Sequence, residues 1–474
     1  MKLLIRPLSL AIALCAGSAL AQADTLADIY EQSLKNDPRL KGAEATYRAN
    51  IEAEELSFSS LLPQINASGE YRENNTTDVS SRIFPTDPPL AQNSDDDTES
   101  DRTTLSLSLN QTLFDLSTWF TFRQGKEITK QAAAQLAFDQ QDVIVRVAEA
   151  YFDVLRALDN LEASKAEERA TKRQLEQTQQ RFDVGLIAIT DVHEARAVYD
   201  STVVTRLTDE GKLGTSYESL TVLTGQTHKN LWLLNKDYPV IDPEPMSRDE
   251  WVQFSLKNNN ALKASIFGMD AAKQNASAKK MGHTPKLTGN ITYTDYEEDG
   301  ENISNIGVGN RPFETQSEGY TWGVTLSVPL YSGGGISAQR RQAYEQYNVA
   351  LQNKIETQRT VIRNARASHI TVVTDVQRVK ARQQAIVSTS SALNATEAGY
   401  GVGTRNIVDV LQAQRSLYSS IRDYSNSRYD YVLNMLKLKR AAGTLTPQDI
   451  YDLNKWMVEP NAPTANQYQE YLSQ

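Results

Sequence analysis

The alternation of apolar and polar residues changes period several times along this chain, and each change predicts a change of element. From residue 24 to about 62, Leu26, Ile29, Tyr30 and Leu34 recur at helical spacing, with an interruption near Pro38. After Pro63 the period drops to two. Ile65, Ala67, Gly69 and Tyr71 alternate with Gln64, Asn66, Ser68 and Glu70, which predicts a strand over about 64–72 with one apolar and one wet face. A second strand is predicted over about 103–113, where Leu105, Leu107, Leu109 and Leu113 alternate with Thr104, Ser106, Ser108 and Asn110. Residues 72–102 between them hold Pro85, Pro88 and Pro89 without periodicity and read as a long solvated loop.

The plan then returns. Leu287, Gly289, Ile291 and Tyr293 alternate with polar neighbours over about 286–294, and Trp322, Val324, Leu326, Val328 and Leu330 do so over about 320–330, around a loop at 295–319. Between the strand pairs no proline occurs from 90 to 238 or from 330 to 446, and no glycine from 336 to 398, which predicts very long helices. The last stretch alone would span about 95 Å as a helix. Val372, Val376, Val379, Gln383, Ile386, Ser390 and Leu393 step by fours and threes, as Val143, Val147, Tyr151, Val154, Leu158 and Leu161 nearly do, the signature of coiled-coil packing. The stripe is narrow, so each helix keeps much of its circumference wet. That suits a barrel wall better than a solid bundle.

The repetition reaches individual letters. RFDVGLIAITDV at 181–192 returns as GYGVGTRNIVDV at 399–410, SLKNDPRLK from Ser33 as SLKNNNALK from Ser255, Pro63 as Pro285, LNQTLF as LSVPLY, and Gly225 as Gly443. The chain is therefore a duplication, with halves at 24–225 and 247–445 joined by an irregular linker at 226–246. A tail at 446–474 shows no strong pattern, and its last dozen residues are expected to be loosely held. Each copy of the first motif carries a glycine break between long helices and reads as a hairpin tip, at about 184–188 and 401–404.

Composition narrows the function. Lys2 and Arg6, an apolar run at 8–16 and Ala21-Gln22-Ala23 have the order of a secretory signal, predicted to occupy 1–23. The single cysteine, Cys15, lies inside it, which leaves no disulfide or thiol chemistry downstream. No other apolar run reaches the ~18 residues of a spanning helix, so the remaining way through a bilayer is a β-barrel. Tyr71, Tyr293 and Trp322 at the loop ends of the strands, with Phe114 and Tyr331 at the helix ends, fit the aromatic girdles of such a barrel at the outer-membrane lipid interface. Four strands cannot close alone, and unpaired edges are forbidden in lipid, so two or three chains must share one barrel. The formal net charge of −10 is concentrated in 72–102 (three basic, eight acidic) and 295–319 (one basic, seven acidic). The simplest reading of these segments is soluble loops, and the functional one a cation-attracting mouth. His193, His228, His283 and His369 share no ligand spacing, and no phosphate loop, dinucleotide fingerprint or nucleophile elbow occurs. No catalytic site, metal, cofactor or nucleic-acid partner is expected.

QRFDVGLIAITDV, GYGVGTRNIVDVL, the prolines before the first and third strands, and VPLYSGGG carry a resemblance: the chain is similar to the TolC-type outer-membrane efflux protein family over nearly its whole length. The resemblance implies a mixed architecture, a long α-helical barrel plus four strands per chain contributing to a shared twelve-stranded transmembrane β-barrel in a homotrimer. It implies a passive channel-tunnel through the outer membrane and into the periplasm, joined through a periplasmic adaptor to an inner-membrane pump of RND, MFS or ABC type, for efflux or type I secretion. It further implies a gate latch in which Arg405 bonds to Thr190 and Asp191, and Tyr400 to Asp191 and Gln174. Asp409 then falls on the periplasmic constriction, with Gln412 where the family places a second acidic residue. An exported coiled-coil filament or adhesin stalk would also show heptads, but not two pairs of one-sided strands.

Overall fold

Proline, glycine and capping side chains set the boundaries of the elements. In the computed structural model, which describes residues 24–304 and 310–460, the first half runs α1 (Leu26–Asn36), α2 (Pro38–Ser59), β1 (Gln64–Phe84), β2 (Leu90–Phe114), α3 (Leu116–Asp183) and α4 (Ile189–Thr224), and the linker after it holds β3 (Leu233–Leu234). The second half repeats the order as α5 (Arg248–Asn258), α6 (Asn260–Lys280), β4 (Lys286–Ser304), β5 (Arg311–Ser327), α7 (Gly335–Gly401) and α8 (Ile407–Ala442), then adds α9 (Pro447–Asn454) and β6 (Met457–Val458). The expected signal peptide at 1–23 and the last dozen residues of the tail lie outside the described residues. Thr25 and Asp28 cap α1 reciprocally, and Pro38, which cannot continue a helix, separates α1 from α2. α4 and α8 end on Gly225 and Gly443, both left-handed at φ 71° and 72°.

The chain forms two compact units, and they do not follow the two sequence halves. One takes residues 24–43, 137–259 and 360–460, the other 44–136 and 260–359. Each unit draws on both repeats, because equivalent segments of a duplicated chain pack with each other rather than with their sequence neighbours.

The core of the first unit follows the expected seam: Val143, Val147, Tyr151, Val154, Val372, Val376 and Val379 are buried, with Tyr431 and Leu438 beside them. Gln383, placed on the same seam by its spacing, is exposed. A polar side chain gains nothing from a dry seam, and only the apolar steps stay inside. The segments expected to be irregular are partly ordered. β3 from the linker pairs antiparallel with β6 from the tail, Leu233 to Val458 and Leu234 to Met457.

The second unit holds one antiparallel sheet in the order β1-β2-β4-β5. The predicted strands are present but too short in the reading. β1 continues to Phe84, β2 starts at Leu90, β4 continues to Ser304 and β5 starts at Arg311, so most of the two expected loops is paired strand. These extensions are wet on both faces and therefore carry no hydropathy alternation. Their ladder bonds and cross-strand pairs hold them instead, such as Thr98 Oγ1 to Asn302 Oδ1 at 2.8 Å and the Arg102–Glu298 ion pair. The three prolines fall where prolines belong, in the five-residue connection at 85–89. β5 ends at Ser327, short of the expected Leu330, and the turn into α7 places Gly333 and Gly334 at φ 59° and 80°.

Candidate functional site

Two separate surfaces carry the features that the sequence singles out. The first is the sheet. Its register lines residues into rows that share a face: Ile65, Leu109, Ile291 and Trp322 form one row and Ala67, Leu107, Tyr293 and Tyr320 the next. The opposite face reads Asn66, Ser108, Thr292 and Thr321. The sheet is thus apolar on one side and polar on the other, yet among the described residues nothing covers the apolar side: Leu107 is 51% exposed and Trp322 71%. From Leu105 to Leu113 the band covers about 27 Å along β2, close to the height of a bilayer core before tilt. β1 and β5 are the two edges of the sheet.

The aromatic residues sit differently from the expectation. Tyr71, Tyr293 and Trp322 do not end their strands, because the strands run on past them. They lie on three different levels of the sheet: Trp322 with Leu109 and Ile291, Tyr293 one row on with Leu107, and Tyr71 opposite Thr103, past the row of Gly69, Leu105, Asp295 and Glu318. Phe114 closes β2 at the other end, and Tyr331 lies beyond β5 with its ring exposed. The hairpin extensions gather three exposed carboxylates that pattern reading missed, Glu297, Asp299 and Glu314, within 4.8 Å of one another. Only the pairing of β4 with β5 reveals that group. Among the described residues no helix is long and apolar enough to cross a membrane.

The second surface is the pair of hairpin tips. Both turn by the same backbone device: Leu186 N donates to Arg181 O at 2.9 Å and Gly185 N to Phe182 O at 2.8 Å, while Thr404 N donates to Gly399 O at 2.9 Å and Gly403 N to Tyr400 O at 3.2 Å. Gly185 and Gly403 supply the left-handed residue at φ 78° and 79°. The second connection is longer than expected and runs over 402–406.

Beyond the turn the two copies diverge. α8 starts on Asn406, whose side chain accepts from Asp409 N at 2.8 Å while the Asp409 carboxylate accepts from Asn406 N at 3.3 Å. α4 starts on Ala188, which has no side chain to offer, and Asp191 accepts only a long 3.4 Å bond from Thr190 Oγ1. Asp409 is therefore committed to its own helix start, whereas its repeat partner Asp191 keeps free acceptor capacity. Gln412, one turn on, is exposed.

The expected latch bonds do not form within one chain. Arg405 faces Asp409 at 3.9 Å, four residues along its own segment, and is 63% exposed. Its stem lies over Gly399, where an added Cβ would come within 2.8 Å of Arg405 Cγ. Tyr400 does not reach Asp191 or Gln174. The Arg181 guanidinium sits 4.6 Å from the centre of its ring, and its hydroxyl is buried without a partner. Gln174 Nε2 and Gln414 Oε1 are likewise buried and unpaired, and all three groups line one cavity of about 720 Å³ with Arg181 and Glu397. Tyr400 and Gln174 are thus brought to one place, as polar groups whose burial costs about 1–3 kcal/mol each until something bonds them. Sequence reasoning missed Arg181, Glu397 and Gln414 because their roles come from neighbouring helices rather than from spacing.

Comparison with known proteins shows the family. Residues 29–226 and 251–444 match the family model described as outer membrane efflux protein, one match for each half. The outer membrane protein TolC of Vibrio cholerae is 39% identical over 450 residues, covering 94% of this chain and 97% of that one. The proteases secretion protein PrtF of Dickeya chrysanthemi is 27% identical over 97% of this chain and 96% of its own length. The crystal structure of the outer membrane protein VceC from Vibrio cholerae superposes with a TM-score of 0.71 at 18% identity, over 88% of this chain and 96% of that one.

Proposed function

Since the chain belongs to the outer membrane efflux protein family, we propose that it is an outer-membrane exit duct for efflux and type I secretion, passing cargo outward without acting on it chemically. One observation carries the reading: a four-stranded sheet with an uncovered apolar face and two open edges. Each large apolar side chain left in water forgoes about 1.5–3 kcal/mol, so a face of this kind is covered in service, and lipid covers it when the edges are paired by other copies. Family membership favours three copies and twelve strands. Family membership also favours a helical tunnel in the periplasm, where an adaptor and an inner-membrane pump supply the energy.

The tips form the periplasmic entrance. Arg405, weakly held in its own chain, reaches Thr190 and Asp191 of a neighbouring copy, and the unpaired Tyr400 hydroxyl and Gln174 amide close on Asp191 and each other when the two hairpins draw together. An exposed pair such as that of Arg405 is worth about 0–1 kcal/mol, so a few such links in three copies make a latch that a partner can open. Asp409 lines the constriction, and Gln412 completes a second, neutral ring.

Planar-bilayer recording of the purified protein tests both levels of the proposal. A heat-dissociable oligomer with discrete conductance is expected, and Arg405→Ser with Tyr400→Phe should raise that conductance. A soluble, non-conducting fibre would end the duct reading in favour of a coiled-coil structural protein. Unchanged conductance in the double variant would end the latch alone.

A further inference from the structure

Four aromatic side chains, Tyr238, Trp251, Tyr431 and Trp456, line a cavity of about 320 Å³ in the first unit, far in sequence from the tips. Their rings stand across one another. Tyr238 lies 5.8 Å from Trp456 at 87° and 6.4 Å from Tyr431 at 60°, so the walls meet as corners and not as stacks. The polar edges of two rings are already occupied. Trp251 Nε1 donates to Pro245 O at 2.7 Å, and the Tyr431 hydroxyl donates to Ile241 O at 2.8 Å and accepts from Ile241 N at 3.2 Å. These bonds pin Trp251 and Tyr431, both buried, to the backbone of 241–245, and leave the half-buried Tyr238 and the partly exposed Trp456 as the rings a ligand can still meet.

The charges around the same cavity are unbalanced. It is lined by Asp242, Glu244, Asp449 and Asp452 against the single cation Lys439. Lys439 is bound to Asp449 at 2.5 Å, and Asp452 to Lys455 at 2.7 Å. Asp242 and Glu244 have no ion-pair partner among the described residues. Burial holds the Tyr238 phenol well above its ordinary pKa, so that ring stays neutral and adds no charge of its own.

Crossed aromatic walls beside uncompensated carboxylates match one ligand chemistry. A metal ion would need several oxygen ligands in a tight shell, and among the described residues the carboxylates of this cavity are not gathered into one. An alkylated ammonium group is weakly hydrated, is attracted to ring faces within about 6 Å and needs only a nearby negative charge to complete its site. The volume lies at the small end of ligand pockets and suits a small molecule. We propose that this cavity binds a small organic cation of the quaternary or alkylated ammonium class. The proposal rests on nothing in the duct reading and stands or falls separately from it.

Isothermal titration of the detergent-solubilised full-length protein with choline tests it, using the neutral isostere 3,3-dimethylbutan-1-ol as comparison. Saturable binding of choline and none of the alcohol is expected. Trp456→Leu, at a 38% exposed ring, should weaken choline binding roughly 3- to 30-fold. Asp242→Asn with Glu244→Gln should weaken it by a similar factor while replacing only surface carboxylates, so that loss there is not loss of fold. No saturable heat with choline, equal binding of the alcohol, or unchanged affinity in both variants would overturn the assignment.

Discussion

Gly225 and Gly443 hold the same place in the two halves, yet replacing them by alanine should have unequal effects. Each ends a long helix with a left-handed residue, at φ 71° and 72°, and an L side chain there costs about 1–2 kcal/mol in either copy. The surroundings decide the rest. A Cβ on Gly225 would meet only Asn36 Cβ at 3.9 Å, an ordinary contact. A Cβ on Gly443 would lie 2.5 Å from the carbonyl carbon of Asn258, 2.6 Å from its oxygen and 2.6 Å from Asn259 N. Main-chain atoms cannot rotate out of the way, and Asn259 Nδ2 ties this corner to Ala441 O at 3.0 Å. Relieving the overlap therefore means moving the end of α5 against α8, a repacking worth about 1–3 kcal/mol beyond the strain. At about 2–4 °C per kcal/mol for a unit of roughly 150–250 residues, Gly443→Ala should melt about 2–12 °C below Gly225→Ala. Far-ultraviolet circular dichroism of the detergent-solubilised protein measures this. Equal midpoints would show that the end of α5 gives way freely and refute the argument.

Glu167 and Arg422 pair at 3.0 Å with the carboxylate side chain only 7% exposed, and burial pushes the Glu167 pKa up while Arg422 pulls it only partly back. A raised folded-state pKa means that stability present below the ordinary carboxylate pKa is lost as pH rises through the folded value. Arg422→Met, which strips the offsetting cation, should therefore cost about 3 kcal/mol near neutral pH and less near pH 5, and a pH-independent deficit in melting would refute this. For the proposed constriction, Asp409→Asn keeps the cap acceptor but removes the charge, so block of the channel by multivalent cations from the periplasmic side should fall sharply, while Gln412→Ala changes it little and Gln412→Asp strengthens it. Block indifferent to Asp409→Asn would remove that residue from the pore.

How much of this fold can be read from the letters depends on what each face meets. Ile65, Leu107, Ile291 and Val324 stand out because they share an apolar face whose neighbours in the strand point to water. Where the strands leave the band, both faces are wet, and residues such as Asp78, Asp96 and Ser304 look like loop although they pair in register. Long helices are legible from absent prolines and the Val372–Val376–Val379 steps. The grouping of segments into two units is not legible, because a repeat states which segments are equivalent and not which of them pack together.

The tips show the same limit at single-residue scale. Offset matching equates Asp191 with Asp409, but three residues earlier the copies read Ala188 and Asn406. Asn-x-x-Asp is a capping box and Ala-x-x-Asp is not, so the letters already separate an aspartate spent on its own helix from one left open to a neighbour. The same asymmetry recurs at Arg181 and Gly399, equivalent positions where one copy puts a guanidinium over the Tyr400 ring and the other removes a Cβ to seat Arg405. The gate proposed at these hairpins needs this kind of divergence. Were the copies still identical, each tip would satisfy its own polar groups in the same way, and neither would be left with a donor or acceptor that only the other, or a neighbouring copy, can complete.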